Sequence, residues 1–167
     1  MMRRAHLALV LFGLLSACSL HPLYTGGGQG AVATTFRTVS VAPIAGQQGW
    51  LVRSKLIDRL GAAGTGQAAY RLDVTLDDNI TAFGLRSDRA ATQERRTLRA
   101  RFQLVELRTG TVVLDATAGS DAGIDIVSSE YATVAAEQTA LENLSDIVAD
   151  QIVARIALFA SRTAAAK

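Results

Sequence analysis

The chain has 167 residues, but only one cysteine, two prolines and two histidines, and 5% of it is aromatic. A lone thiol excludes an internal disulfide. Without a second cysteine or a histidine cluster, a zinc site has no ligand set. His6 and His21 both lie in the first two dozen residues, so no histidine is placed within the main body to act as an acid or base, and the serines have no partner to activate them. Asp77-Asp78 are neighbours on a predicted strand and point to opposite faces, which suits a solvated strand end better than a hard cation. Gly26-Gly27-Gly28 lacks the lysine and the following helix of a phosphate loop. Catalysis, metal binding and cofactor binding are therefore not expected. The formal charge is only +2, and no nucleic-acid module is present.

Long apolar runs are also missing. The run at residues 7–15 (LALVLFGLL) covers nine residues, against the 20 or so that a membrane span needs. It follows Arg3-Arg4 and leads through Ser16-Ala17 into Cys18. A basic start, a short apolar stretch and small residues before a cut describe a secretory signal. Leu15-Ser16-Ala17-Cys18 resembles the bacterial lipobox, in which the cysteine is lipidated and becomes the first residue of the mature protein. An ordinary cut leaving a free thiol is the alternative, but signal and tetrapeptide agree in register. Two or three acyl chains hold a protein on a bilayer, each buried CH₂ contributing about 0.8 kcal/mol. Ser19 in place of aspartate after the cysteine points to the outer membrane. Removing Arg3 and Arg4 lowers the basic count from 17 to 15 against 15 acidic residues, so the mature protein is near neutral. The divisions expected are a signal at 1–17, a lipidated flexible tether at 18–35, one domain at 36–162 and a frayed tail at 163–167.

Within the domain, Phe36, Val39 and Val41 alternate weakly as a strand that Pro43 ends. Residues 46–64 read as a helix: Leu51, Val52, Leu56, Ile57 and Leu60 recur at three- and four-residue spacing, and Gly61 or Gly64 stops them. Tyr70, Leu72, Val74 and Leu76 alternate with Arg71, Asp73 and Thr75, the pattern of a half-buried strand. It is expected to continue to Ile80 through a change of face or a bulge. Residues 96–107 repeat the pattern with Leu98, Ala100, Phe102 and Leu104 inward. A turn at 108–111 returns the chain as a strand over 111–118. From Ser128-Ser129-Glu130 a helix of about thirty residues follows, with Val134, Leu141, Val148, Ile152, Ile156 and Phe159 as its stripe and Leu144 and Ile147 in support. The expected fold is α+β: two helices on one face of a four-stranded, mainly antiparallel sheet, in the order β-α-β-β-β-α. The opposite face, rich in Arg, Thr, Asp and Gln, is left for water or a partner.

Charge is unevenly spread. Arg86, Arg89, Arg95, Arg96, Arg99 and Arg101 are opposed locally only by Asp88 and Glu94. Most fall in the predicted loop between the second and third strands, while Arg99 and Arg101 share one outward strand face. Guanidinium forks suit phosphates and carboxylates, so a phosphorylated glycolipid or an acidic protein wall fits this loop. A solvated tip that keeps a hairpin soluble fits equally well.

Cys18-Ser-Leu-His-Pro-Leu-Tyr24, followed much later by Tyr131-Ala-Thr-Val-Ala-Ala-Glu-Gln-Thr-Ala140 opening a helix through Ala149-Asp150-Gln151-Ile152, resembles the LptE family of lipopolysaccharide-assembly lipoproteins in its alphaproteobacterial form. Ser19-Leu20-His21 departs from the Gly-Phe and basic or polar residue more common there. The resemblance implies a non-catalytic lipoprotein, anchored in the inner leaflet of the outer membrane. Such a protein plugs an LptD-like β-barrel, assists its assembly and helps place lipopolysaccharide in the outer leaflet. Family members are expected to meet lipopolysaccharide through basic residues near loop tips, and assigning that role to residues 86–101 is a hypothesis of this sequence alone. Two other readings stand: an auxiliary lipoprotein of a phospholipid-transport system, and a structural envelope lipoprotein without a ligand.

Overall fold

The structure, a computed structural model, describes residues 30–61, 67–85 and 91–165. Cys18, His21 and the segments assigned to signal and early tether lie outside the described residues, as do Arg86 and Arg89. The chain forms α1 (Ala31–Arg37), β1 (Val39–Val41), α2 (Gly46–Leu60), β2 (Tyr70–Leu85), β3 (Ala91–Glu106), β4 (Thr111–Asp125) and α3 (Glu130–Ala165). The strands make one sheet in the order β1-β2-β3-β4. The α+β class is as expected. Three of its details are corrected.

First, there are three helices among the described residues. Residues 31–35, expected in the tether, belong to α1, and Phe36 is helical instead of opening a strand. Val32 and Phe36 stand one turn apart and are both buried, so the i,i+4 pair outweighs the weak alternation around it. Second, the sheet is mainly antiparallel, as expected, but is mixed at one edge. β1 pairs parallel with β2, Val39 opposite Tyr70, because α2 carries the chain back to the starting end as a parallel pair requires. Third, the strands are longer. β2 meets β3 one-to-one from Tyr70↔Glu106 to Leu85↔Ala91, without the bulge or change of face expected near Asp77. β4 runs on to Asp125, and the register slips between Leu104 and Val105. α3 likewise continues helical to Ala165.

The apolar layer follows the expected faces. Leu72 of β2 and Leu98, Ala100, Phe102 and Leu104 of β3 are buried against Val52, Leu56 and Leu60 of α2 and Leu141, Leu144, Val148, Ile152 and Ile156 of α3. Tyr70 meets Phe159 edge-on at 5.9 Å. Val134 and Ile147, assigned to the inward stripe of α3, are 56% and 42% exposed. Ala140, Ser145, Ala149 and Ala157 are buried in the same helix, small residues that let α3 approach the sheet closely. Gly61 closes α2 in the left-handed conformation, φ 62 and ψ 28, and the Ser129 hydroxyl accepts from the Ala132 amide at 3.4 Å at the start of α3. Trp50, the only tryptophan, stands 68% exposed on α2.

Side chains tie the two long helices together with a constant offset. Gln47 bonds Gln138, Lys55 bonds Asp146, and Arg59 bonds both Asp146 and Asp150. The pairs 47–138, 55–146 and 59–150 are each separated by 91 positions, so α2 and α3 lie side by side and parallel.

Towards the β2–β3 tip the helix-facing side of the sheet turns polar. Arg96 forks onto Asp78, Nε to Oδ1 at 2.9 Å and Nη2 to Oδ2 at 2.6 Å, and donates through Nη1 to the Glu137 carbonyl at 3.0 Å. The two paired side chains are each 12% exposed. Nearby, Glu94 Oε2 is buried without a hydrogen-bond partner. Burial, and then the adjacent Glu137, push the Glu94 carboxyl above its ordinary pKa.

Candidate functional site

Among the described residues, no helix covers the second face of the sheet. Alternation on β3 sends Arg95, Thr97, Arg99, Arg101 and Gln103 to that face, while Leu98, Ala100, Phe102 and Leu104 go to the core. Arg95, Arg99 and Arg101 carry side chains 59%, 51% and 69% exposed. They form a row along one strand: Arg99 and Arg101 share its outward face as expected, and because β3 begins at Ala91, Arg95 and Arg96 are strand residues and not part of a loop. Arg95, Arg99 and Arg101 line the open face, and Arg96 is turned inward onto Asp78. An arginine pattern in sequence does not reveal this split until the strand's start is known, since Arg95 and Arg96 fall on opposite faces.

The row is also less naked than its local sequence suggests. Arg101 binds Asp115 through Nε at 3.3 Å and Nη2 at 3.0 Å, and Gln103 donates to the same carboxylate at 2.8 Å. Arg101 and then Gln103 hold the Asp115 carboxyl below its usual range, and Asp115 in turn raises the Arg101 guanidinium. Asp121 stands 3.9 Å from Arg95 and 4.0 Å from Arg99, too far for close pairing. Arg71 is forked onto Asp73 of its own strand. Arg95 also covers the Phe83 ring at 5.4 Å, a cation–π contact that holds an aromatic on the open face.

Two glycines of β4 sit opposite two of these arginines, Gly119↔Arg99 and Gly123↔Arg95. A Cβ on Gly119 would fall 2.5 Å from Arg99 Cδ and 2.9 Å from the Leu98 carbonyl. The bare backbone there lets the Arg99 side chain lie flat and donate to the Ser120 carbonyl at 3.0 Å. Around it lies a shallow trough of about 510 Å³, bordered by Thr75, Asp77, Arg99, Arg101 and Thr117. Asp77 projects into this trough and makes no hydrogen bond or ion pair with any described residue; Asp78 points to the other face, as the alternation required. Sequence reasoning marked Arg99 and Arg101 but missed Thr75, Thr117 and the acidic partners. The signal available was register: residues 75, 101 and 117 become neighbours only once both hairpins are paired. Guanidinium and hydroxyl donors beside a carboxylate that has no partner among the described residues form a polar cradle for binding. Among the described residues no group of acidic, histidine or cysteine side chains is placed to hold a metal ion, and no helix is long and apolar enough to cross a membrane.

The fold has relatives among solved structures. A lipoprotein from Caulobacter crescentus superposes with a TM-score of 0.64 at 23% identity, covering 79% of this chain and 98% of that one. Rare lipoprotein B from Shewanella oneidensis gives 0.59 at 12% identity, covering 75% and 96%. A minor lipoprotein from Acinetobacter baumannii gives 0.55 at 18% identity, covering 74% and 92%. Among curated proteins no sequence match is found. At the level of sequence, residues 36–156 match the LptE family, described as lipopolysaccharide-assembly, and that span includes every strand, α2 and most of α3. The chain belongs to the LptE family of lipopolysaccharide-assembly lipoproteins.

Proposed function

We propose that the protein is anchored by lipid on Cys18 to the inner leaflet of the outer membrane, on its periplasmic side. There it seats in an LptD-like β-barrel, assists that barrel's assembly and helps pass lipopolysaccharide to the outer leaflet. One observation supports this above others: a member of this family exposes an entire sheet face with three arginines in a row, while its other face is sealed by its own helices. A face of that kind suits a charged glycolipid or the polar lining of a barrel. Arginine forks match phosphate oxygens, and the hydroxyls of Thr75 and Thr117 add donors suited to sugars. Arg95, Arg99 and Arg101 are assigned to this contact, and Arg86 and Arg89, outside the described residues, are assigned to it from the sequence alone; Arg96, committed to Asp78, is not.

Two experiments test the reading. Replacing Arg95, Arg99 and Arg101 by glutamine should weaken lipopolysaccharide binding at low salt by at least about tenfold, or about 1.4 kcal/mol; undiminished affinity removes the site. Purifying the protein from native envelopes should bring down the barrel. Recovery of phospholipid-transport proteins instead, or of no partner, replaces the function. Mass spectrometry of the same preparation checks acylation at Cys18.

A further inference from the structure

β4 is an edge strand of the sheet, and α3 shows what its free backbone accepts. Gly119 donates its N–H to Gln151 Oε1 at 2.9 Å, and Gln151 Nε2 donates to the Gly119 carbonyl at 3.2 Å. These are the two bonds a neighbouring strand would make. The β3–β4 register is unbroken from there to Asp125, so alternation turns the N–H and C=O of Asp121, Gly123 and Asp125 to the same side. Among the described residues nothing bonds to them there. A groove of about 510 Å³ runs alongside, lined by Ala122, Gly123, Ile124, Ala136, Ala140 and Asn143. Its walls are mostly small. Asn143 is exposed, makes no hydrogen bond with any described residue, and stands about two helical turns before Gln151.

We propose that this edge receives an extended segment of a second polypeptide, added beside β4 as a fifth strand, with Asn143 reading its backbone and Gln151 marking where it ends. Strand addition takes its affinity from main-chain bonds and its selectivity from alternate side chains. Here the alternate positions differ in character. The inner-facing residues of the incoming strand enter the Ala- and Gly-lined groove and must be small and aliphatic. Its outer-facing residues lie beside Asp121 and Asp125, where lysine or arginine is favoured and an acid opposed. A second copy of β4 would bring these aspartates against each other, so the partner is a different, basic strand. This goes beyond lipopolysaccharide binding and uses a different surface.

The test uses the full protein and a nine-residue peptide alternating valine and lysine, with amide hydrogen exchange followed residue by residue. The peptide should slow exchange at Asp121, Gly123 and Asp125 by at least about tenfold and leave Gly119, already bonded, unchanged. A peptide N-methylated on its edge-facing amides should give no protection, and a valine–glutamate peptide at least about tenfold less. Gly123→Pro should lose the effect and Gly123→Ala keep it. Unchanged exchange at saturating peptide, or equal protection by the N-methylated peptide, overturns the proposal. Equal protection by the glutamate peptide overturns the basic partner, and concentration-dependent protection without peptide assigns the edge to a second copy instead.

Discussion

Arg96 shows how much one residue's neighbours decide. Its guanidinium and the Asp78 carboxylate are largely withdrawn from water, so removing one leaves the other without compensation. Arg96→Met should cost about 3 kcal/mol in urea unfolding, and Asp78→Leu added to it should restore much of the loss, since an apolar pair needs no desolvation. Glu94 behaves in the opposite sense. Its carboxyl is raised in the folded state, so the fold holds that proton more tightly than the unfolded chain does. Stability attributable to Glu94 is therefore highest below the ordinary glutamate pKa, near 4.3, and falls as pH rises towards the folded value. Glu94→Gln should remove this decline and leave the protein more stable at neutral pH, as measured by unfolding at a series of pH values. The two β4 glycines make a matched pair. Gly119→Ala should destabilise by about 1–2 kcal/mol because its Cβ meets a backbone carbonyl, whereas Gly123→Ala, with nothing within 4 Å of its Cβ, should cost only a few tenths.

Elements were more legible in the sequence than their ends. Faultless alternation in 70–76 and 98–104 identified two strands and their inward faces, because a half-buried strand must obey period two. β2 was harder beyond Leu76, where Asp78 occupies an inward position. Its partner Arg96 comes from another strand, and no local pattern shows that the two meet. The same long-range pairing hid the start of β3. α1 escaped notice because a seven-residue helix carries only two buried residues. The parallel β1–β2 pair was implicit in the order β-α-β but no single segment displays it. Between α2 and α3, Lys55 and then Arg59 hold Asp146 below the usual carboxylate range. That contribution is present above an unfolded aspartate pKa near 4 and is lost as pH falls through the folded value. The carboxylate is 44% exposed, so Asp146→Asn should cost less than about 1 kcal/mol at neutral pH. The gap between variant and parent should close in acid.

The whole molecule is a two-layer body in which sheet and helix are matched in length. Sixteen residues of β2 or β3 span about 53 Å at 3.3 Å each, and the 36 residues of α3 about 54 Å at 1.5 Å each. α3 thus runs the full length of the side it shares with α2, and among the described residues no helix covers the reverse side. This asymmetry was legible as a polar strand face, but not its detail, since the trough at Arg99 depends on Gly119 lying across from it. Phe102→Ala, at the centre of the sealed side, should cost about 4 kcal/mol and leave lipopolysaccharide binding by the remaining folded protein intact, separating scaffold from surface. Trp50 gives that separation a spectroscopic form. The only indole in the chain already looks onto solvent in the native state, so its emission should change little when the domain melts, and unfolding is better followed by circular dichroism. A blue shift of the same emission on adding a partner would then report α2 being covered, in a fluorescence channel nearly blind to folding.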